Sequence, residues 1–190
     1  MMTRRMYTIF LCALVLFVVT GCSPDLGSKT PPVNNGAVSG QKPPEPPKVP
    51  VTETVPVKVY FGTHDARYLV AEVHQVKAGP QLMQQAMEKL AAGPRSADLV
   101  SVVPKATKVK SIVVRDRMAV VDFSEELVKR GFGGSATEIL AVAAIVNTLT
   151  EFPDIERVQI LVEGKKVSTL FGHIDVYDPL SRSPAIIKNK

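Results

Sequence analysis

The residues of this 190-residue chain that could take part in catalysis or ligand binding are a glycine cluster, three histidines and a group of carboxylates. The glycine cluster GFGG, residues 131–134, leads through Ser135 into an apolar, helix-like segment, as phosphate-binding loops do. A Walker loop would need a lysine after the last glycine, and a dinucleotide loop would need a glycine in place of Ala136 and a strand before the cluster. We therefore predict a turn, in which Gly131 ends a short helix, Ser135 caps the next one and Glu138 completes a capping box.

The histidines, His64, His74 and His173, are too far apart in sequence to form a helical metal-binding pair. Neither H-x-x-x-H nor H-E-x-x-H is present, and those are the spacings that place two imidazoles on one helix face. A metal site formed by histidines that are distant in sequence but close in space remains an open alternative. The favoured interpretation of each histidine is a surface or strand-edge side chain.

The carboxylates Asp122, Glu125 and Glu126 cluster where a short helix is expected to begin after Ser124, and the helix dipole accounts for negative charge at that position. No G-x-S-x-G sequence is present to indicate a nucleophile. Asn147 lies beside an apolar helical stripe, and we expect it to bond to a neighbouring loop. These residue types predict no catalytic, cofactor-binding or metal-binding site, and no enzyme.

The first 21 residues have the layout of a signal peptide. Arg4 and Arg5 precede an apolar run, residues 7–19, which is too short to span a bilayer as a helix. The run ends in Val19-Thr20-Gly21-Cys22, which resembles the lipobox of bacterial lipoproteins. That resemblance implies cleavage before Cys22 and its modification with lipid, including acyl chains such as palmitate. The expected location is the outer face of the cell membrane.

Cysteine and charge counts exclude several classes of function. Cys12 and Cys22 are the two cysteines, so removal of the signal peptide leaves one thiol, which the lipid would occupy. That excludes a disulfide framework, a Cys-ligated zinc and a catalytic thiol. The whole chain carries a net charge of +5, and about +3 remains without Arg4 and Arg5. This charge is too small and too evenly spread to indicate nucleic-acid binding.

Composition divides the remaining chain into three parts. Residues 22–56 are proline-rich and hold few large apolar side chains, which predicts a disordered tether. Residues 57–178 have the size of one domain, and residues 179–190 are expected to form a flexible tail. A proline-rich ligand for another protein's groove is the alternative interpretation of the tether.

Periodicity within 57–178 predicts an α+β fold, with a mixed or antiparallel sheet packed by two main helices. The second helix, about residues 136–152, is expected to bury Ile139, Val142, Ala143, Val146 and Leu149. Strands are expected on both sides of Asp116-Arg117, and because arginine fits poorly in a two-residue hairpin loop, the loop is expected to be either longer or strained. Residues 165–176 are expected to extend and pair with the preceding strand.

The run GSATEILAVAAIVNTLTEFPDIERVQILVEGKKVSTLFGHIDV, with VKVYF, MEKLAAGP and VDFSEEL before it, resembles the GerMN domain. The resemblance covers about residues 57–179. It implies a fold like that of ring-building motifs, no enzymatic activity, and lipoproteins that serve sporulation, germination or envelope assembly. The chain departs from the family pattern at Arg117, where the hairpin usually has glycine.

The resemblance and the residues together predict a membrane-tethered protein-interaction or assembly module. Its expected partners are the membrane, through lipid on Cys22, and other envelope or sporulation proteins, with a homo-oligomer left open and nucleic acid excluded. The alternative is a module that binds a small envelope ligand such as a peptidoglycan fragment. A hydrolase ranks third.

Overall fold

The computed structural model describes residues 53–129 and 133–188. The predictions for the signal peptide, Cys22, most of the tether and Gly131 lie outside these residues. The strands are β1 (Thr54–Thr63), β2 (Leu69–Lys77), β3 (Leu99–Val100), β4 (Val109–Arg115), β5 (Met118–Phe123), β6 (Arg157–Val162), β7 (Lys165–Lys166) and β8 (Leu180–Ser181). The helices are α1 (Leu82–Ala92), α2 (Glu126–Lys129) and α3 (Ser135–Leu149), followed near the end by a 3-10 turn at Pro184–Ile186.

The α+β prediction is confirmed, but the strands form two sheets instead of one. The first sheet has the order β2-β1-β3, and the second has the order β4-β5-β6-β7, with β8 also paired to β6. β5 and β6 are parallel, whereas the other pairs are antiparallel. A parallel pair needs a long crossover, and α2 and α3 provide it.

α3 packs against β1 of the first sheet, β6 of the second and α1, and it is buried on almost every side. Its apolar composition explains this, because a helix that is hydrophobic all round must be covered all round. The predicted stripe was wrong at one position, since Ile139 is 42 % exposed while Leu140, Ala144 and Ile145 are at most 1 % exposed. No helix among the described residues is both long and apolar enough to cross a membrane.

Both predicted domain boundaries differ from the structure. β1 begins at Thr54, three residues before the predicted start, and Pro56 lies within it opposite Gln75. Residues 180–188, predicted to be a flexible tail, pack on the domain. β8 pairs with β6, and the Lys188 N–H donates to the Leu69 carbonyl at 2.8 Å. The apolar residues Leu180, Ile186 and Ile187 provide the reason, because each is partly buried against the core.

The β4–β5 loop and residues 165–176 have backbone conformations that the sequence did not fully predict. The β4–β5 loop has two residues, and Asp116 and Arg117 both have positive φ, 48° and 58°. This is the backbone of a type I′ turn, so the loop is short and strained at Arg117. Only Lys165–Lys166 of the predicted extended segment 165–176 pairs with β6, and the rest follows an irregular course.

Candidate functional site

The three histidines lie in three different surroundings. His64 is exposed, with Nε2 2.9 Å from the Ala97 carbonyl oxygen. His74 lies on β2, the outer strand of the first sheet, but its side chain is 5 % exposed, so it is a strand-edge residue that is buried and not at the surface. Burial lowers the pKa of His74, whose Nε2 lies 3.1 Å from Glu72 Oε2. His173 is exposed, and its backbone N–H donates to Glu138.

The contacts of Glu72 indicate that its partner His74 has a structural role. Burial opposes its negative charge, but the backbone N–H groups of Arg95 and Ser96 outweigh that effect and hold the Glu72 pKa below its usual value. These N–H groups donate at 3.1 and 2.9 Å. Glu72 and His74 therefore fix the loop after α1 on the face of β2.

The predicted carboxylates have separate structural partners. Asp122 Oδ1 accepts the Gly164 N–H at 2.8 Å, and Glu125 pairs with Lys129 at 2.6 Å. The Ser124 hydroxyl lowers the pKa of half-buried Glu126. Ser124, just before α2, accepts the Lys108 N–H on its Oγ at 3.0 Å.

The predicted capping box before α3 is wrong. Gly134 occupies the N-cap position, and no side chain accepts a hydrogen bond there, so Ser135 is the first helical residue. Glu138 is fully buried and accepts the backbone N–H groups of Leu170, Phe171 and His173 at 2.7–2.9 Å. Burial opposes its charge, but these donors outweigh that effect and lower the Glu138 pKa. The local spacing predicted a helix cap. In the folded chain the Glu138 carboxylate instead holds a loop that begins 32 residues later.

The other buried polar groups of α3 also hold neighbouring segments. Asn147 bonds to Ser183 of the C-terminal segment, which confirms its predicted loop contact. Thr148 Oγ1 accepts the Tyr60 N–H of β1 at 3.2 Å. Within residues 53–129 and 133–188, no group of three His, Cys or acidic side chains is placed to hold a metal ion. The buried residues Glu72, Glu138 and Asn147 thus hold neighbouring segments of the fold together.

β4 is an outer strand of the second sheet and carries apolar side chains into solvent. Val113 and Val114 are 44 % and 42 % exposed, and Ile112 is partly buried. In a two-residue hairpin the residues that flank the turn form a hydrogen-bonded pair, here Arg115 and Met118. Because alternate residues then point towards β5, the N–H and C=O groups of Ile112 and Val114 point away from the sheet.

A groove of ≈ 520 Å³ lies between this edge and the start of α1. Ile112 and Val114 line one wall, and Met83 and Gln84 line the other. Gln84 Nε2 donates to the Val109 carbonyl at 3.0 Å, which closes the groove at one end. A free strand edge beside a helix is an arrangement that can accept an additional strand.

The edge of the first sheet is closed by contrast. The outward carbonyls of Leu69 and Val73 accept hydrogen bonds from Lys188 and Arg95. Gln85 bonds to both the N–H and the C=O of Lys77 at 3.0 Å. These contacts are the kind of cover that prevents a strand from pairing with another chain. In β4, by contrast, the described part of the chain places one such contact, from Gln84 to the Val109 carbonyl at the start of the strand.

A second, smaller groove of ≈ 190 Å³ lies on the remaining open side of α3. Exposed Ile139 lies at this groove with Val142, Val146 and Ile174. Its walls are mainly apolar, with Ser181 and Ser183 as the polar lining residues, so it offers few polar groups to orient a small ligand.

Sequence reasoning did not identify the β4 edge as a site. Its signal was the uninterrupted run Ile112-Val113-Val114 in a strand that also carries Lys110 and Arg115. A strand with one solvated face should alternate apolar and polar residues, so three consecutive apolar residues indicate a strand covered on both faces. The position of that strand at the edge of a sheet follows only from the fold.

Comparisons with known proteins agree with this architecture. The model of the Germane family, described as "Sporulation and spore germination", matches residues 58–168. The first GerMN domain of the sporulation protein GerM from Bacillus subtilis is 26 % identical, with a TM-score of 0.59 over 68 % of this chain and 98 % of that one. A candidate lipoprotein from Clostridium perfringens is 25 % identical, with a TM-score of 0.52 over 74 % and 97 %.

The tandem GerMN domains of GerM match with 24 % identity and a TM-score of 0.59 over 73 % of this chain. The match spans 49 % of the tandem chain, so this chain covers about half of that relative's length. A search of curated proteins found no match. The family match covers most of the described domain, from β1 to β7. The chain belongs to the Germane family of sporulation and spore germination proteins, and its folded part is a GerMN domain.

Proposed function

We propose that this protein is a non-enzymatic interaction module, tethered to the outer face of the membrane, that contributes to sporulation, germination or envelope assembly. Family membership supports the biological setting. Three buried polar residues support a non-enzymatic role. The side chains of Glu72, Glu138 and Asn147 are hydrogen-bonded to the backbone of neighbouring segments. A catalytic group would instead need to reach a substrate in an open cleft.

The observation that carries the proposal is the open β4 edge. Val113 and Val114 expose adjacent apolar side chains on opposite faces of this strand, and Ile112 and Val114 direct backbone groups outward. Natural proteins normally cover such an edge, or place charges on it that repel a second copy, because it pairs readily with other chains. An edge that stays open in one sheet, while four groups close the edge of the other, favours a role in assembly.

The tether is proposed from the sequence of residues 22–56. Lipid on Cys22 would anchor the chain, and the similarity to a candidate lipoprotein supports this arrangement. Stable anchoring needs more than one acyl chain, at ~0.8 kcal/mol per buried methylene. The proline-rich segment would place the domain away from the bilayer, since a flexible coil of its length spans roughly 30 Å.

Site-specific photo-crosslinking in the native host tests the proposed function. A benzophenone amino acid replaces Val113 on the β4 edge, or Tyr177, which is 51 % exposed elsewhere on the domain, as the matched control. We expect discrete protein adducts from position 113 and few from position 177 during sporulation. Adducts from neither position, in cells that contain both folded variants, would contradict an interaction role for this edge.

A further inference from the structure

Building on the proposed function, we propose that the β4 edge and its groove bind an extended polypeptide segment with an apolar centre and acidic ends. The segment adds to the second sheet as a further strand beside β4. The proposal names the chemistry of the partner, and three independent features of β4 support it: its backbone, its apolar side chains and its charges.

The backbone of β4 offers a defined length of free edge. A register shift between Val109 and Ser111 marks a bulge at one end, and the Asp116-Arg117 turn closes the other. Between them, Ile112 and Val114 each present one N–H and one C=O outward. Residues 111–115 span about 17 Å in extended conformation, which suits a partner segment of five to seven residues.

Apolar side chains border this edge on both faces of the sheet. Ile112 and Val114 lie on the groove side with Met83, and Val113 lies on the opposite face. Side chains of an added strand alternate between these faces and would contact an apolar neighbour on each. The centre of the partner segment is therefore apolar.

The charges flanking the edge are basic. Lys110 is neutralised by Glu163 at 2.6 Å, and Arg117 by Glu156 at 2.8 Å. Lys108 and Arg115 remain exposed near the two ends of β4. Glu88 lies in the wall of the groove, which disfavours a negative charge at that wall. Acidic residues at the two ends of the partner would face Arg115 and Lys108, and Glu88, which lines a hollow together with Lys108, reduces the attraction at the Lys108 end.

The same charges favour a different protein over a second copy of this chain. Lys108 to Arg117 holds four basic residues and one acidic residue, Asp116. Lys110 and Arg117 are already paired with glutamates, so pairing β4 with β4 of another copy would bring Lys108 and Arg115 of both copies to one shared edge, and like charges on paired strands are destabilising. An acidic segment reverses the sign of this interaction.

The test uses the full chain, purified in detergent, and the synthetic peptide acetyl-Glu-Val-Thr-Val-Thr-Val-Glu-amide. One control peptide has lysine in place of both glutamates, and another is N-methylated at every residue so that neither of its edges can donate to β4. Calorimetry measures affinity, and hydrogen exchange reports protection at residues 111–115. We expect the acidic peptide to bind about tenfold more tightly than the lysine peptide at low salt, with a smaller ratio at about 0.5 M salt.

Proline substitutions test the role of the backbone. Val114→Pro removes an outward N–H without removing a bond to β5, because proline is tolerated on an edge strand whose N–H faces solvent. Val73→Pro is the matched control on β2, where the Val73 carbonyl also points outward. We expect Val114→Pro to weaken peptide binding about tenfold, roughly the value of one hydrogen bond, and Val73→Pro to change it less than twofold.

Several outcomes would overturn the proposal. Equal binding of the N-methylated peptide would exclude strand addition, and equal binding of the lysine peptide would exclude acidic recognition. A dimer that Val114→Pro dissociates would assign the edge to a second copy. Absence of peptide binding would reject this partner chemistry, whereas protein adducts at position 113 would still support the proposed interaction role. If Val114→Pro does not fold, the N-methylated peptide still decides the question.

Discussion

Asn147 and Ser183 exchange two hydrogen bonds across 36 residues of chain. The Asn147 amide donates to the Ser183 carbonyl at 3.0 Å, and the Ser183 N–H donates to Asn147 Oδ1 at 2.9 Å. Asn147 is fully buried in α3, so these bonds satisfy its amide and hold the C-terminal segment on the helix. Arg182 adds to the attachment by donating to the Asn147 carbonyl at 2.9 Å and pairing with Glu151.

We predict that Asn147→Ala lowers the free energy of unfolding by about 2–3 kcal/mol, because the two lost bonds leave backbone groups of Ser183 without partners. Urea unfolding of the full chain measures this. Deletion of residues 180–190 should also destabilise the domain, and adding Asn147→Ala to the deletion should cost much less than 2 kcal/mol, since the partner is already gone. Fully additive effects would contradict the attachment.

Glu138→Gln should destabilise the protein at pH 7 by about 2–4 kcal/mol, because a charged acceptor of three buried N–H groups becomes neutral. The Glu138 pKa is lowered in the folded state, so its contribution is present above the unfolded pKa and disappears as pH falls below about 4. Urea unfolding at several pH values should show a shallower acid limb in the variant. The matched control is Glu156→Gln, an exposed carboxylate, and an equal change in that variant would refute the assignment.

The contribution of buried His74 to acid sensitivity can be separated from that of Glu138, because the two groups titrate in different pH ranges. Its pKa is lowered on folding, so stability linked to it is present above the unfolded pKa of about 6.5 and falls as pH decreases below that value. Loss of stability that begins between pH 6.5 and 5 should therefore persist in Glu138→Gln and diminish in His74→Gln. The reverse pattern would show that the two groups have been assigned incorrectly.

Ser135→Ala should change stability by no more than about 0.5 kcal/mol, the usual range for a surface residue without a specific contact. The structure places Ser135 inside the first turn of α3, with no capping hydrogen bond. A true N-cap would lose about 1 kcal/mol on the same change. A thermal melt of the variant distinguishes the two values, and a loss near 1 kcal/mol would restore the capping box.

Arg117→Gly should stabilise the β4–β5 hairpin by about 0.5 kcal/mol. Glycine relieves a positive φ that costs a side-chain-bearing residue about 1–2 kcal/mol, while the lost exposed ion pair with Glu156 returns part of the gain. Arg115→Gly, in the adjacent strand, is the control and should destabilise. The midpoint of urea unfolding measures both, and equal effects would argue against turn strain.

Cys22→Ser should release the protein from the membrane or leave its signal peptide uncleaved. Cys22 would hold the single thiol of the processed chain, and its sulfur atom would carry the lipid. Membrane fractionation and the mass of the processed protein measure the effect, with Cys12→Ser as the control that keeps the lipidation site. Normal cleavage and unchanged membrane association in Cys22→Ser would refute the lipid anchor.

The sequence by itself determined the types of the main elements, because hydrophobic period and strong breakers are local properties. Gly93 ends α1 with a φ of 93°, and the apolar run after Ser135 is the long helix α3. It also determined the family, since the match extends over residues 58–168. The loop contact of Asn147 was predictable because a lone amide beside an apolar stripe needs a partner when buried.

Only the tertiary structure decided the roles of Glu138, His74 and the last residues of the chain. Glu138 has the spacing of a capping box, but its partners lie 32 or more residues away, and no local pattern encodes that distance. The alternation along β2 placed His74 on one face without stating which face the core covers. Likewise, β4 reads as an ordinary strand, and its open edge exists because strand order, which depends on contacts distant in sequence, places it outermost.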